Sequence, residues 1–272
     1  MIQDFTLHTH TVGFDGKNTI AEMATVAENN GIEFIGISNH FILHPQIKNT
    51  RFYGFSVSGG YSNIYHDNPD EIYNEFRKHY SELEQVAEQS KIKILKGMEL
   101  DYFPAQNHRK IIDALKPDFL IGACHFIEYK DHLCNIHDIQ RAEPAIQEEM
   151  IALYWQKIQE MAHSGIFNWF AHLDLPARVN LGLEDKWEKH ELSAIDAIAS
   201  SGRPVEINTA LYKYAERPHP SPRIMKMCAD RQIPMFLSDD AHHVSQVCRH
   251  FQTAKQYADS FGVKLVKMNK IL

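Results

Sequence analysis

Histidine is the residue type through which this chain offers most of its chemistry. It accounts for 17 of the 272 residues, and imidazole is both the commonest metal ligand and the usual acid-base group near neutral pH. His8-Thr9-His10 puts two imidazoles on one face of an extended segment, because alternate strand side chains point the same way, and both can bind one cation. Asp15 follows in Phe14-Asp15-Gly16, where Asp-Gly is also a strong turn signal. His40 closes Ile35-Gly36-Ile37-Ser38-Asn39-His40. Glu99 and Asp101 share a face of Gly97-Met98-Glu99-Leu100-Asp101, and a carboxylate can bridge two metals with its two oxygens. Asp101, shortly before Pro104, also suits a cap or turn. His125 and His172 each end an apolar run, and Asp240-Ala241-His242 sets an acid and a histidine two apart, again able to face the same way. Taken singly, each of these groups also has an ordinary explanation as a solvated or hydrogen-bonded polar residue. Cys124 reads as a small buried filler, whereas His44, His66, His79, His132, His137, His163, His190, His219 and His250 fall in helices or loops and are expected mostly at the surface.

The elements that must position these groups alternate along the chain. Phe5-Leu7, Phe34-Ile37, Ile92-Leu95, Phe119-Ile121, Phe167-Ala171, Val205-Ile207, Met235-Leu237 and Val263-Val266 read as strands. Between them Thr19-Asn30, Asp70-Gln89, His108-Leu115, Pro144-His163, His190-Ser201, Pro222-Arg231 and Val244-Ser260 read as helices, several closed by Gly or Pro. This alternation predicts an α/β fold of βαβ units. Closed into a barrel, such units put every strand's C-terminal end on one rim, where active sites are built, and the metal-capable groups fall at strand ends. Lys48-Asn68, rich in Tyr, Phe, Ser and Gly, reads as a loop over one face.

Composition sets the outer bounds. A hydrophobic content of 44% supports a large core, and no linker divides 1–272, so the chain reads as a single domain. The formal charge of -7 leaves no basic field for nucleic acid or an anionic membrane. No signal-like start and no run of about 18 apolar residues is present, so a cytoplasmic location is expected. The four cysteines form no C-x-x-C pair and read as reduced thiols.

Taken in order, His8-x-His10 with Asp15-Gly16 after it, a strand ending in His40, Gly-x-Glu99, Gly-x-x-His125-Phe126, Ala-His172-x-Asp174 and Ser-Asp-Asp240-Ala-His242 resemble the PHP (polymerase and histidinol phosphatase) superfamily from Leu7 to about Val247. The strings 97–104, 121–127 and 206–209, the last followed by Pro-Ser-Pro at 220–222, look like its histidinol-phosphatase branch. The resemblance implies a distorted, TIM-like (β/α)7 barrel with the active site at the C-terminal rim and three divalent transition-metal ions, which could be zinc, manganese or iron. It implies one ion held by His8, His10, Glu99 and Asp240, a second bridged by Glu99 and held by His125 and His172, and a third held by Asp15, His40 and His242. Where the family usually has Asp before the second-strand histidine, this chain has Asn39, which can orient His40 by a hydrogen bond but brings no charge. The Arg51-Asp67 loop is longer than the compact family connection.

The expected activity is hydrolysis of a small phosphate monoester, L-histidinol phosphate first, by a metal-bridging hydroxide. Glu99, Asp240, His242 and Arg178 are the expected catalytic groups. Arg178 is the candidate phosphate clamp, supported by Lys213 and Arg217. The alternatives are a phosphatase for another small ester and a PHP domain that holds metal without catalysis.

Overall fold

The computed structural model describes residues 2–272 apart from 61, 107 and 183. The chain divides into two compact units, residues 1–121 with 238–249, and residues 122–237 with 250–272.

The first unit is built on parallel pairing. β1 (Phe5–Thr9) pairs with β2 (Phe34–Ile37), and β2 with β5 (Lys93–Asp101). β3 (His40–Leu43) pairs with the far half of β5 and also with the short β4 (Tyr65–His66). α1 (Ile20–Asn29) starts at a Thr19/Glu22 capping box, which satisfies two backbone donors reciprocally. Its Ile20, Met23, Ala24 and Ala27 pack on Ile35 and Ile37 of β2 and on Leu83 of α3 (Pro69–Ala87). α4 (His108–Leu115) leads to β6 (Phe119–Ala123), whose first residue explains two glycines: a Cβ on Gly36 or Gly97 would come within 2.5 or 2.2 Å of the Phe119 ring.

The second unit opens with an antiparallel hairpin, β7 (Phe126–Tyr129) and β8 (His132–Asn135), followed by the single turn α5 (Ile136–Ile139). α6 (Pro144–Ser164) packs on α7 (Glu188–Ser201), and each ends at a left-handed glycine, Gly165 at φ 70° and Gly202 at φ 68°, where a side chain would be strained. β9 (Trp169–Phe170) pairs in parallel with β10 (Val205–Asn208). α8 (Pro222–Asp230) is pinned to α7 by Arg223, which donates through Nε and Nη2 to the buried Glu191 carboxylate at 2.7 Å each. β11 (Met235–Ser238) and α9 (Phe251–Ser260) complete the order.

Several elements depart from expectation. Lys48–Asn68 is no plain loop: α2 (Arg51–Ser58), capped by the Thr50 hydroxyl accepting from Tyr53 N–H, and β4 both lie in it. Val263–Val266 forms no strand and contributes only an isolated bridge from Leu265 to Met235. The helix expected over Val244–Ser260 starts only at Phe251, because Cys248 and His250 adopt positive φ (58° and 57°) that α-helical hydrogen bonding does not tolerate. β5 runs six residues beyond Leu95, so Asp101 is a buried strand residue and not a cap. Of the nine histidines expected mostly at the surface, His132, His163, His190 and His250 are exposed and His137 is half-buried, but His44, His66, His79 and His219 are buried; Cys124 is buried as expected. Among the described residues no helix is long and apolar enough to cross a membrane.

Candidate metal centre

Three backbone features of the first unit converge on one spot. β1 delivers His8, and His10 follows one residue past its end. His40 opens β3 in register with Glu99 of β5. The segment 238–249 is stitched alongside: His10 N–H donates to Ala241 O (2.8 Å), Ala241 N–H to His8 O (3.2 Å), and Lys17 N–H to His242 O (2.8 Å). Asp240 accepts a left-handed φ of 46° in the process, a conformation Asp tolerates better than most residues.

The resulting distances have a chemical meaning. His8 Nε2 lies 3.5 Å from Glu99 Oε1 and 3.6 Å from Asp240 Oδ1, and His10 Nε2 lies 3.6 Å from Glu99 Oε2 and 3.3 Å from Asp240 Oδ1. Ligand atoms about 2.1 Å from one tetrahedral cation stand roughly 3.4 Å apart. Four groups spaced in this way, three of them buried and Asp240 half-buried, have the separations of ligands that share one ion. A second group, His10, Asp15, His40 and His242, has its ligand atoms all within 4.8 Å of one another. In it Asp15 Oδ2 is 3.1 Å from His40 Nε2 and 3.0 Å from His242 Nε2. Both ring nitrogens of His10 and Oδ1 of Asp15 are buried without a hydrogen bond, an expense that a cation removes.

Without a cation, protons do the neutralising. Burial alone would push the His40 imidazole down, but the Glu99 and Asp15 carboxylates outweigh it and hold it well above the usual histidine range. Burial likewise raises Asp15 and Asp240, and the facing histidines reverse this: His242, His40 and His10 hold Asp15, and His8, His10 and His242 hold Asp240, well below the carboxylate range. Asp239, next in the chain, stays raised to about 6 by burial, although Cys248 N–H donates to it. Asn39 does not turn to His40 as expected; its side chain binds Thr11 and His79.

The second unit gathers the remaining groups. His125 and His172 face each other with ring centroids 5.1 Å apart. His172 takes φ 22°, and its N–H donates to the buried Glu206 carboxylate, which also accepts from Asn208 Nδ2 at 2.7 Å. Asp174 is enclosed by donors: His219 Nδ1 at 2.5 Å, Ser221 N–H at 2.7 Å and Arg217 Nη1 at 3.4 Å. Burial opposes its charge, but His219 and Arg217 prevail and its carboxyl falls to about 2. Arg217, half-buried, is therefore engaged with Asp174. Arg178 is exposed, with its guanidinium 4.3 Å from the Tyr214 ring centroid, and Lys213 Nζ lies 5.3 Å from the same ring. Sequence reasoning passed over Tyr214 and the partnership of His219 with Asp174, because neither is adjacent in sequence to its partner.

A probable histidinol-phosphatase of Deinococcus radiodurans is 25% identical over 194 residues, covering 70% of this chain and 74% of the relative. In fold, the chain is similar to HisK from Listeria monocytogenes, with TM-score 0.76 and 16% identity over 92% of this chain and 99% of the other. It is also similar to the histidinol phosphate phosphatase of Lactococcus lactis complexed with zinc, L-histidinol and phosphate, with TM-score 0.65 and 19% identity over 98% and 96% of the two chains. The fold class these likenesses show is the α/β class of (β/α)7 type expected from the sequence. The profile of the PHP domain matches residues 4–210, and the chain belongs to that family.

Proposed function

We propose that this chain is a metal-dependent phosphatase for a small phosphate monoester, with L-histidinol phosphate as its substrate. The observation that carries the reading is the set of 3.3–3.6 Å spacings among His8, His10, Glu99 and Asp240, which are those of ligands to one ion. In the first unit these four would hold one divalent cation, and Asp15, His40 and His242 another. In the second unit His125 and His172 would supply two imidazoles to a third. Nitrogen and carboxylate donors of this kind suit zinc, manganese or iron. The D. radiodurans relative and the L. lactis fold neighbour, which holds zinc, histidinol and phosphate, support both the metal and the substrate.

Bound cations supply Lewis acidity and depress the pKa of water, so no protein nucleophile is needed. The chain's own residues do the rest. Glu99 and Asp240 add negative charge where cations must be held, and His242 closes the edge of the cluster with Asp15. Arg178 offers a planar fork for two phosphoryl oxygens, and Lys213 adds a point charge beside it. Arg217 contributes through Asp174, which it holds in its charged form.

The test joins metal analysis to turnover. Protein purified without added metal should contain transition metal, and with zinc, manganese or iron supplied it should release phosphate from histidinol phosphate faster than from a simple aryl phosphate. Bound metal with no hydrolysis of either ester would favour a metal-holding domain without catalysis. Faster turnover of the aryl ester would point to another substrate.

A further inference from the structure

His79 has no part in the roles assigned so far, yet it is only 6% exposed, on the buried side of α3 with Phe76, Tyr80 and Leu83. It projects from α3 into a cage of rings, 5.1 Å from Phe14 and 5.9 Å from Tyr80 by centroid. Its Nε2 lies 3.0 Å from Asn39 Nδ2. Asn39 is fully buried, and its orientation is fixed from the other side: Thr11 N–H can only donate, and it donates to Asn39 Oδ1 at 2.8 Å. The amide NH2 must then face Thr11 Oγ1, at 3.0 Å, and His79. An NH2 group only donates, so His79 Nε2 carries no proton and the imidazole is the neutral Nδ1–H tautomer. Burial pushes its pKa down to about 4, in the same direction.

The pair sits where the backbones of three candidate ligands meet. Thr11 follows His10, and its carbonyl accepts from Phe14 N–H and Gly16 N–H, closing the turn that carries Asp15. Asn39 precedes His40, and its own carbonyl accepts from Glu99 N–H at 3.1 Å. A carboxylate at position 39 could be met only by moving the His79 proton to Nε2 or by charging the ring, whereas Asn39 and the Nδ1–H tautomer of His79 form a matched neutral pair that adds order to the site without adding charge.

We propose that His79 is a positioning residue for the cation cluster, acting as an unprotonated acceptor that fixes the Asn39 amide and through it the Thr11 and His40 backbones. This rests on the assignment of His10, Asp15, His40 and Glu99 as metal ligands. Loss of a partner outside the ligand shell lowers metal affinity about 10- to 100-fold, and His79, one step further out, should act at the low end of that range.

The experiment measures zinc affinity by chelator competition in wild type, His79→Phe, His79→Gln, Asn39→Ala and the His79→Phe/Asn39→Ala double variant, with melting temperature recorded for each. His79→Phe keeps the ring packing but leaves the amide without its acceptor, and should bind one zinc about tenfold more weakly. His79→Gln restores an acceptor oxygen and should stay closer to wild type than His79→Phe. The double variant should be no weaker than the weaker single variant, since the two residues act as one unit. Nitrogen-15 NMR of the histidine side chains should show His79 Nε2 unprotonated at neutral pH. Wild type that binds zinc together with His79→Phe that binds it equally well overturns the role of His79 alone, as does a protonated Nε2. Wild type that binds no zinc overturns the metal assignment and this role with it. If His79→Phe does not fold, His79→Gln and Asn39→Ala decide: Asn39→Ala binding zinc as wild type does overturns the proposal.

Discussion

Gly16 lies so close under His10 that a Cβ there would be 2.5 Å from the His10 carbonyl carbon and 2.4 Å from the Thr11 nitrogen. Both are backbone atoms of the segment that presents the candidate ligands, and neither can give way as a side chain would. Gly16→Ala should open the turn and draw Asp15 away from His40 and His242. The expected result is a loss of about 1–3 kcal/mol of stability, the usual range for overpacking, accompanied by reduced metal content. Thermal unfolding and elemental analysis of the variant check it.

Glu99 has an oxygen within 3.6 Å of His8, His10 and His40. Glu99→Gln keeps the shape and removes the charge. Zinc affinity should fall by more than the roughly tenfold typical of an outer partner, and more than one ion should be lost per chain. Elemental analysis after gel filtration reads both.

Metal binding and protonation compete at His40 and His242, whose imidazoles are held above the usual range: burial lowers both, but Glu99 with Asp15 for His40, and Asp15 with Asp240 for His242, outweigh it. A raised pKa in the folded metal-free protein stabilises that form at low pH and ceases to do so as pH rises through it. Binding a cation must expel those protons, so affinity should climb with pH across the same window. Zinc competition titrations at about pH 6 and about pH 8 should show tighter binding at the higher pH, with proton release detectable in weakly buffered solution.

The parts of this site that were legible in sequence are those that local pattern determines. His8 and His10 are two apart at a strand end, and Asp240 and His242 are two apart after another, so the side on which they lie follows from strand geometry alone. Among the described residues the strands that escaped notice are His40–Leu43, Tyr65–His66, Phe126–Tyr129 and His132–Asn135, all of two to four residues and none flanked by the helix alternation that marked the others. The burial of His79 and His219 was illegible for a different reason: each is paid for by one distant partner, Asn39 or Asp174, that no local window contains.

Arg178→Lys keeps the charge and loses the fork, and Arg178→Ala loses both. The kcat/KM for histidinol phosphate should fall in that order, with the alanine variant down by roughly 1.5–3 kcal/mol, about ten- to a hundred-fold. Metal content should stay at the wild-type value. Steady-state kinetics with both esters, beside metal analysis, decide it; unchanged kcat/KM in both variants would make Arg178 a surface cation.

Asp174, with its carboxyl lowered to about 2 by His219 and Arg217 against the opposing effect of burial, contributes stability that is complete above its unfolded pKa of about 3.9 and is lost as pH falls toward 2. Asp174→Asn should lower stability near neutral pH by about 2 kcal/mol, a loss that shrinks in acid. Urea denaturation at about pH 7 and about pH 3 compares the two proteins across that range.

The stitching of Ala241 to His8 and His10 has a bearing on how the protein comes to be made. Of the groups clustered in the first unit, His8, His10, Asp15, His40 and Glu99 leave the ribosome early, while Asp240 and His242 are added more than 130 residues after Glu99. A nascent chain that carries β1, β2 and β5 therefore displays an incomplete set of candidate ligands until Asp240 and His242 have been added. A chain cut off before position 240 lacks two of the donors that the cluster would use to retain a cation.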